Sequence, residues 1–163
     1  MKLLRATILA AALVLGGGAA LAQDFYKGLE AAQAGDFATA LKEWQPLAEQ
    51  GDAGAQNNLG AMYIKGEGVF QDYAEGLKWY RRAAEQGQAR AQNNLGAMHG
   101  SGKGVPQDHV MAHMWYNIAA ANGVEDAPVF RDEIAAEMTS SDISKAQAMA
   151  RECMSGGYKN CGW

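Results

Sequence analysis

The chain is 163 residues long, with 14 basic and 18 acidic side chains, a net charge of −4 and two cysteines. That length supports a single domain with its own core. The acidic balance excludes a partner gripped through its phosphates, so nucleic acid is not expected as a ligand.

Lys2 and Arg5 give the chain a basic start, and Ala6 to Leu15 is an apolar run too short to span a bilayer as a helix. Gly16 to Ala22 is a small-residue segment closing on Ala20-Leu21-Ala22. This predicts a signal peptide over residues 1–22 with cleavage after Ala22, and hence export to the periplasm of a Gram-negative source or secretion. Loss of Lys2 and Arg5 with the leader would take the net charge from −4 to −6. No cysteine stands at the cut and no later stretch is long and apolar enough to span, so neither a lipid anchor nor membrane insertion is expected of the mature chain.

Residues 24–50 read as a terminal pair of helices. Phe25–Ala34 is the first, Gly35-Asp36 is a tight connection, and Pro46 inside the second is expected to kink it or begin a new turn.

A repeat follows. Residues 51–86 and 87–122 align at an offset of 36 without a gap, with 19 of 36 positions identical. The same offset reaches back to 36–50, where Asp36, Ala38, Leu41, Lys42, Ala48, Glu49 and Gln50 match residues of 72–86. Each unit reads as two helices. Ala55, Leu59 and Met62 form an apolar stripe on the first, behind Asp52 as N-cap. Gly66 and Gly68 punctuate the loop after it. Asp72 and Asp108 cap the second helices, and Leu77, Tyr80 and Ala84 give the first of these its stripe. Gly51, Gly87 and Gly123 sit where a left-handed residue ends a helix. Glycine inside a helix costs about 1 kcal/mol against alanine, so Gly60 and Gly96 predict close helix–helix approach. Trp79, Tyr80, Trp115 and Tyr116 are expected to fill the wider gaps.

A helix pair cannot bury its stripe alone, whereas stacked pairs bury a continuous core between altered ends. The fold class expected is therefore all-α, a superhelical solenoid of stacked helix-turn-helix repeats. Residues 123–163 read as a C-terminal capping pair. Pro128 opens a helix to about Met138; Thr139 to Asp142 offer caps for a last helix from Ile143 to about Cys153, lined by Ile143, Ala146, Gln147 and Ala150. Cys153 and Cys161, a close pair in an exported chain, read as a disulfide over the C-terminal tail.

The residues Ala55, Leu59, Gly60, Met62, Tyr63, Gly66, Gly68, Val69, Asp72, Trp79, Tyr80, Ala83, Ala84 and Gly87 resemble the consensus of the Sel-one-like repeat family, a relative of the tetratricopeptide repeats. The resemblance covers residues 35–122 well and the C-terminal region loosely. It implies an α/α superhelix whose members serve as adaptors that assemble protein complexes. The Cys153–Cys161 spacing also resembles the Helicobacter cysteine-rich proteins, a branch with reported β-lactam binding or slow hydrolysis. This chain departs from that branch by holding one pair, outside its two clear repeats.

Asn57, Asn58, Asn93 and Asn94 stand inside first helices, where asparagine is a poor helix former. One reading is a ladder of amides on the concave face gripping an extended peptide backbone, since an amide donates and accepts at once. The other is hydrogen bonding between repeats or bracing of a loop. Tyr63 and His99 share one repeat position, either as a variable pair on the same surface or as loop cover.

His109 and His113 have the i, i+4 spacing of metal ligands, but no third ligand is evident. His113 is expected to be partly exposed at the edge of the array. Gly100–Gly104 fails as a phosphate loop, since Gly104 follows Lys103 where Ser or Thr is needed. Ser101 beside His99 lacks an orienting third group. No metal, cofactor or catalytic residue is expected. The function expected is a non-enzymatic adaptor for a protein or peptide partner, with a β-lactam- or cell-wall-peptide-binding or hydrolysing protein as the alternative. The sequence leaves partner identity and oligomeric state open.

Overall fold

A computed structural model of the protein describes residues 14–159, 161 and 162, and these hold eight α-helices and no strand. They are α1 (Val14–Gln33), α2 (Phe37–Glu49), α3 (Ala53–Lys65), α4 (Tyr73–Ala84), α5 (Ala89–Ser101), α6 (His109–Ala121), α7 (Ala127–Ala135) and α8 (Ser140–Ser155). Residues 1–13 of the expected leader lie outside the described residues.

The helices start where side-chain acceptors satisfy their first N–H groups. Asp36 accepts from Thr39 N, Asp52 from Ala55 N, Asp72 from Ala74 N and Glu75 N, and Asp108 from Met111 N. Gln88 takes the place of Asp52 in the second unit and accepts from Ala91 N. First helices stop at left-handed glycines, Gly66 with φ +73° and Gly102 with φ +70°. Gly51, Gly87 and Gly123, all with positive φ, follow the second helices as the repeat required.

α1 packs on α2, α3 on α4 and α5 on α6, and each pair joins the next through α2 with α3 and α4 with α5. The close approach expected at the helical glycines is present. A Cβ on Gly60 would lie 2.7 Å from the Tyr80 ring, and one on Gly96 would lie 2.8 Å from the Tyr116 ring. The buried residues form two clusters that meet at α4. Trp79 belongs with Ala40, Trp44, Leu47, Leu59 and Met62, while Leu77, Tyr80, Ala83 and Ala84 belong with Leu95, Met98, Met114 and Trp115. α4 is thus the shared wall of two half-cores rather than one layer of an unbroken spine.

The ends differ from expectation in detail. α1 does not begin at Phe25; it is already helical from Val14 and ends at Gln33. α2 runs through Pro46 to Glu49 as one helix; Pro46 and Lys42, whose carbonyl loses its intrahelical donor, are both exposed residues. α7 stops at Ala135, short of Met138, because Glu137 N and Met138 N turn to Ile134 O and Ala135 O in tighter i→i+3 bonds. Thr139 caps α8 as expected, accepting from Asp142 N, so α8 starts at Ser140 rather than Ile143. Its buried stripe is Ala146, Ala150 and Cys153; Gln147 is exposed. α7 and α8 both pack on α6, and that shared seat closes the array. Cys153 and Cys161 are bonded, with Cα atoms 5.0 Å apart.

Candidate functional site

α3 carries Asn58, Ala61, Met62 and Lys65 at i, i+3, i+4 and i+7, one stripe along the helix. This stripe faces a pocket of about 300 Å³ whose other walls are Ala32 and Gln33 of α1, Phe37 and Trp44 of α2, and Glu67 of the α3–α4 loop. Trp44 is fixed by its indole N–H, which donates to Phe25 O at 3.1 Å. The lining is largely apolar and also holds two amides (Gln33 and Asn58), one ammonium and one carboxylate, a composition suited to seating a side chain and hydrogen-bonding the backbone beside it.

The six sequence-predicted residues do not form one surface. Asn94 Nδ2 donates to Asn57 Oδ1 at 3.1 Å, and Asn57 Nδ2 donates to Asn58 Oδ1 at 3.3 Å. Asn57 is buried, so these amides link the two repeats to each other, and the inter-repeat reading describes Asn57 and Asn94. Asn58 alone of the four lines the pocket. Asn93 is half-buried, and its Oδ1 has no protein donor.

Tyr63 and His99 brace the loops. Asp72 N donates to Tyr63 O, and Asp108 N donates to His99 O, both at 2.9 Å. Tyr63 is half-buried against the first core cluster. His99 is only 8% exposed, and neither ring nitrogen has a hydrogen-bond partner, so it presents no side chain to a groove. Burial holds its pKa below the ordinary imidazole value; Asp108 pulls the other way and Arg81 adds to the depression. Ser101 Oγ donates to Ala97 O at 2.7 Å and makes no pair with that imidazole.

His113 corrects a second expectation. It is buried at 2% exposure, because α7 and α8 both cover α6. Asn117 Nδ2 donates to its Nδ1 at 3.1 Å, and burial, with Arg131 nearby, depresses its pKa while Asp132 opposes the shift. His109 faces Glu137 instead, 3.8 Å away, so the two histidines do not converge.

Gln56 and Gln92 were not among the residues expected to matter from the sequence. Both are buried, and each ties its own repeat to the one before. Gln56 Nε2 donates to Ala48 O at 3.0 Å and its Oε1 accepts from Gln86 Nε2 at 2.8 Å. Gln92 Nε2 donates to Ala84 O at 3.2 Å and its Oε1 accepts from Asn122 Nδ2 at 2.8 Å. Asn122 Oδ1 then accepts from Tyr158 of the disulfide-closed tail at 3.0 Å. The signal was present: both glutamines, and the amides that answer them 30 residues later, recur at the offset of 36.

A family model described as Sel1 repeat matches residues 53–88 and 89–124, each window being one helix pair. The chain is similar to the structure of a protective antigen present in uropathogenic Escherichia coli strains displaying an SLR fold. Identity there is 25% and the TM-score 0.80, over 86% of this chain and 31% of that one. It is also similar to a Sel1 repeat protein from Oxalobacter formigenes, at 29% identity and a TM-score of 0.69, over 83% of this chain and 58% of that one. It therefore spans less than two thirds of either structure. No curated protein matches it in sequence. Sel1 repeats are commonly protein-binding scaffolds and generally non-catalytic.

Proposed function

We propose, for a chain that belongs to the Sel1-like repeat family, that it is an exported, non-enzymatic adaptor that docks a protein or peptide segment on the face formed by its first helices. The observation that carries this reading is the pocket between α1, α2 and α3. Phe37, Trp44, Ala61 and Met62 offer one apolar anchor site, and Asn58 stands at its rim. Asn58 Oδ1 is engaged by Asn57, which leaves its Nδ2 for a carbonyl of the incoming segment. The helices around the pocket are already packed, so little ordering entropy opposes docking.

Export is supported by the sequence of residues 1–22. Cleavage after Ala22 would keep the part of α1 that holds Phe25, Gly28 and Leu29 against α2. In the export-competent source, the mature protein is expected to begin at Gln23, which intact mass of the purified protein reads directly. The adaptor reading is tested with a photo-crosslinking residue placed at Asn58 or, as control, at exposed Lys78 on α4. A discrete adduct from position 58, absent at 78 and competed away by the isolated partner segment, supports it. Equal labelling from both positions removes the groove from the proposal.

A further inference from the structure

Phe70 is 97% exposed, and it stands in the α3–α4 loop where the second repeat has Pro106. The loop around it is held firmly. Gln71 Nε2 donates to Ile64 O at 2.8 Å, and Asp72 N donates to Tyr63 O at 2.9 Å. Gly68, with φ +73°, lies so close to α2 that a Cβ there would come within 2.8 Å of Phe37 O. A phenylalanine carried in water on a braced loop is a preorganised knob.

The hole is beside it. The same loop supplies Glu67 to the pocket walled by Phe37, Trp44, Ala61 and Met62. Consecutive Cα atoms are about 3.8 Å apart, so Phe70 lies within about 11 Å of Glu67. A knob and a hole on one patch are what a two-fold interface requires, because each copy then fills the other with no open end. The rim charges fit the same symmetry. Lys65 and Glu67 sit side by side, with 3.8 Å between ammonium and carboxylate, so a two-fold axis that passes between them sets each opposite its counterion on the facing copy.

We propose that this edge pairs with the same edge of a second copy, each Phe70 seated in the other's pocket. An aromatic side chain buries about 150–250 Å², and two of them fall short of the roughly 800 Å² per partner of a standard stable interface. The dimer is therefore weak and exchanging, and it occupies the pocket that the adaptor reading assigns to a partner. The inference does not rest on that reading: self-association is read without any partner present, while the crosslinking above reads partner docking by an adduct whose mass is not twice that of this chain.

The test is sedimentation velocity on the purified protein over its soluble concentration range. The expected result is a reversible monomer–dimer equilibrium, whose dissociation constant rises at least roughly tenfold in Phe70→Ala. The exposed ring packs on little in its own copy, so the thermal midpoint in protein dilute enough to be monomeric stays unchanged. Lys65→Glu or Glu67→Lys alone weakens the dimer, and the two together restore it. A wild-type chain that stays monomeric throughout overturns the proposal. So does a dimer that Phe70→Ala leaves intact.

Discussion

At the residue scale, the repeat is held by positions with no room for anything else. Gly60 shows the balance. Alanine there would gain about 1 kcal/mol of helix propensity, but its Cβ would sit 2.7 Å from the buried Tyr80 ring, with Gly76 O only 3.1 Å away. Overpacking costs roughly 1–3 kcal/mol, so Gly60→Ala is expected to lower stability in denaturant melts. A stabilised variant would show that the ring can move aside. Gln92 makes the complementary case. Gln92→Leu keeps the volume but strands the Asn122 Nδ2 donor and takes one of two donors from Ala84 O, which keeps Gly87 N, with an expected loss of roughly 1–3 kcal/mol in urea unfolding. These two residues also show what the sequence disclosed. The glycines were legible because glycine in a helix is costly and the cost was repeated. The glutamines recur too, but recurrence alone did not mark them as buried, because glutamine is an ordinary helix former and its burial depends on which neighbour arrives. The asparagines drew attention for poor propensity, yet two of them satisfy each other across the repeat boundary.

At the element scale, caps decided the outcome. Asp52, Asp72, Asp108 and Thr139 start helices as read, since a cap is a local event written in three or four residues. Ends without a local cap were misplaced. Asp126 makes no side-chain bond at the start of α7, whose far end frays into a tighter turn. The pocket was invisible because it joins residues from three helices and a loop, of which only Asn58 was expected to bind. The C-terminal tail is an element in its own right: the Cys153–Cys161 bond closes it, and Tyr158 hangs from it onto Asn122, continuing the amide chain of the repeats. Cross-linking a loop of this size removes about 2–3 kcal/mol of chain entropy from the unfolded state. Reduction, or paired Cys153→Ser and Cys161→Ser substitution, is expected to cost that amount in urea unfolding. Tyr158→Phe should cost less, since it removes only one bond. A midpoint indifferent to reductant would mean that the tail does not brace α6 and α8.

At the scale of the whole molecule, the two half-cores meet at α4, and the second repeat carries two buried histidines that predict a sensitivity to acid. His99 and His113 both belong to the second repeat, at positions where the first has Tyr63 and Leu77. Both are buried, and both have pKa values held below the ordinary 6.5, chiefly by burial. Asn117 Nδ2 can only donate, so His113 Nδ1 must accept and stay unprotonated for that bond to exist. Above the ordinary value, folded and unfolded chains are both neutral at these sites and the full stability is present. As pH falls below it, the unfolded chain takes up protons that the folded chain refuses, and stability is lost until the pH has passed the folded values. The carboxylate Asp36 acts further down: its pKa lies below the ordinary 3.8, so its contribution is lost only as pH falls through that lower range. The interval between about pH 6.5 and 5 therefore isolates the imidazoles. Urea unfolding across that interval is expected to show a falling midpoint in the parent chain and a flatter one in His99→Tyr/His113→Leu, which restores the residues of the first repeat. Equal slopes in both proteins would place the acid sensitivity elsewhere. A slope of opposite sign would mean that the folded imidazoles bind protons more tightly than the unfolded ones, against the geometry of both sites.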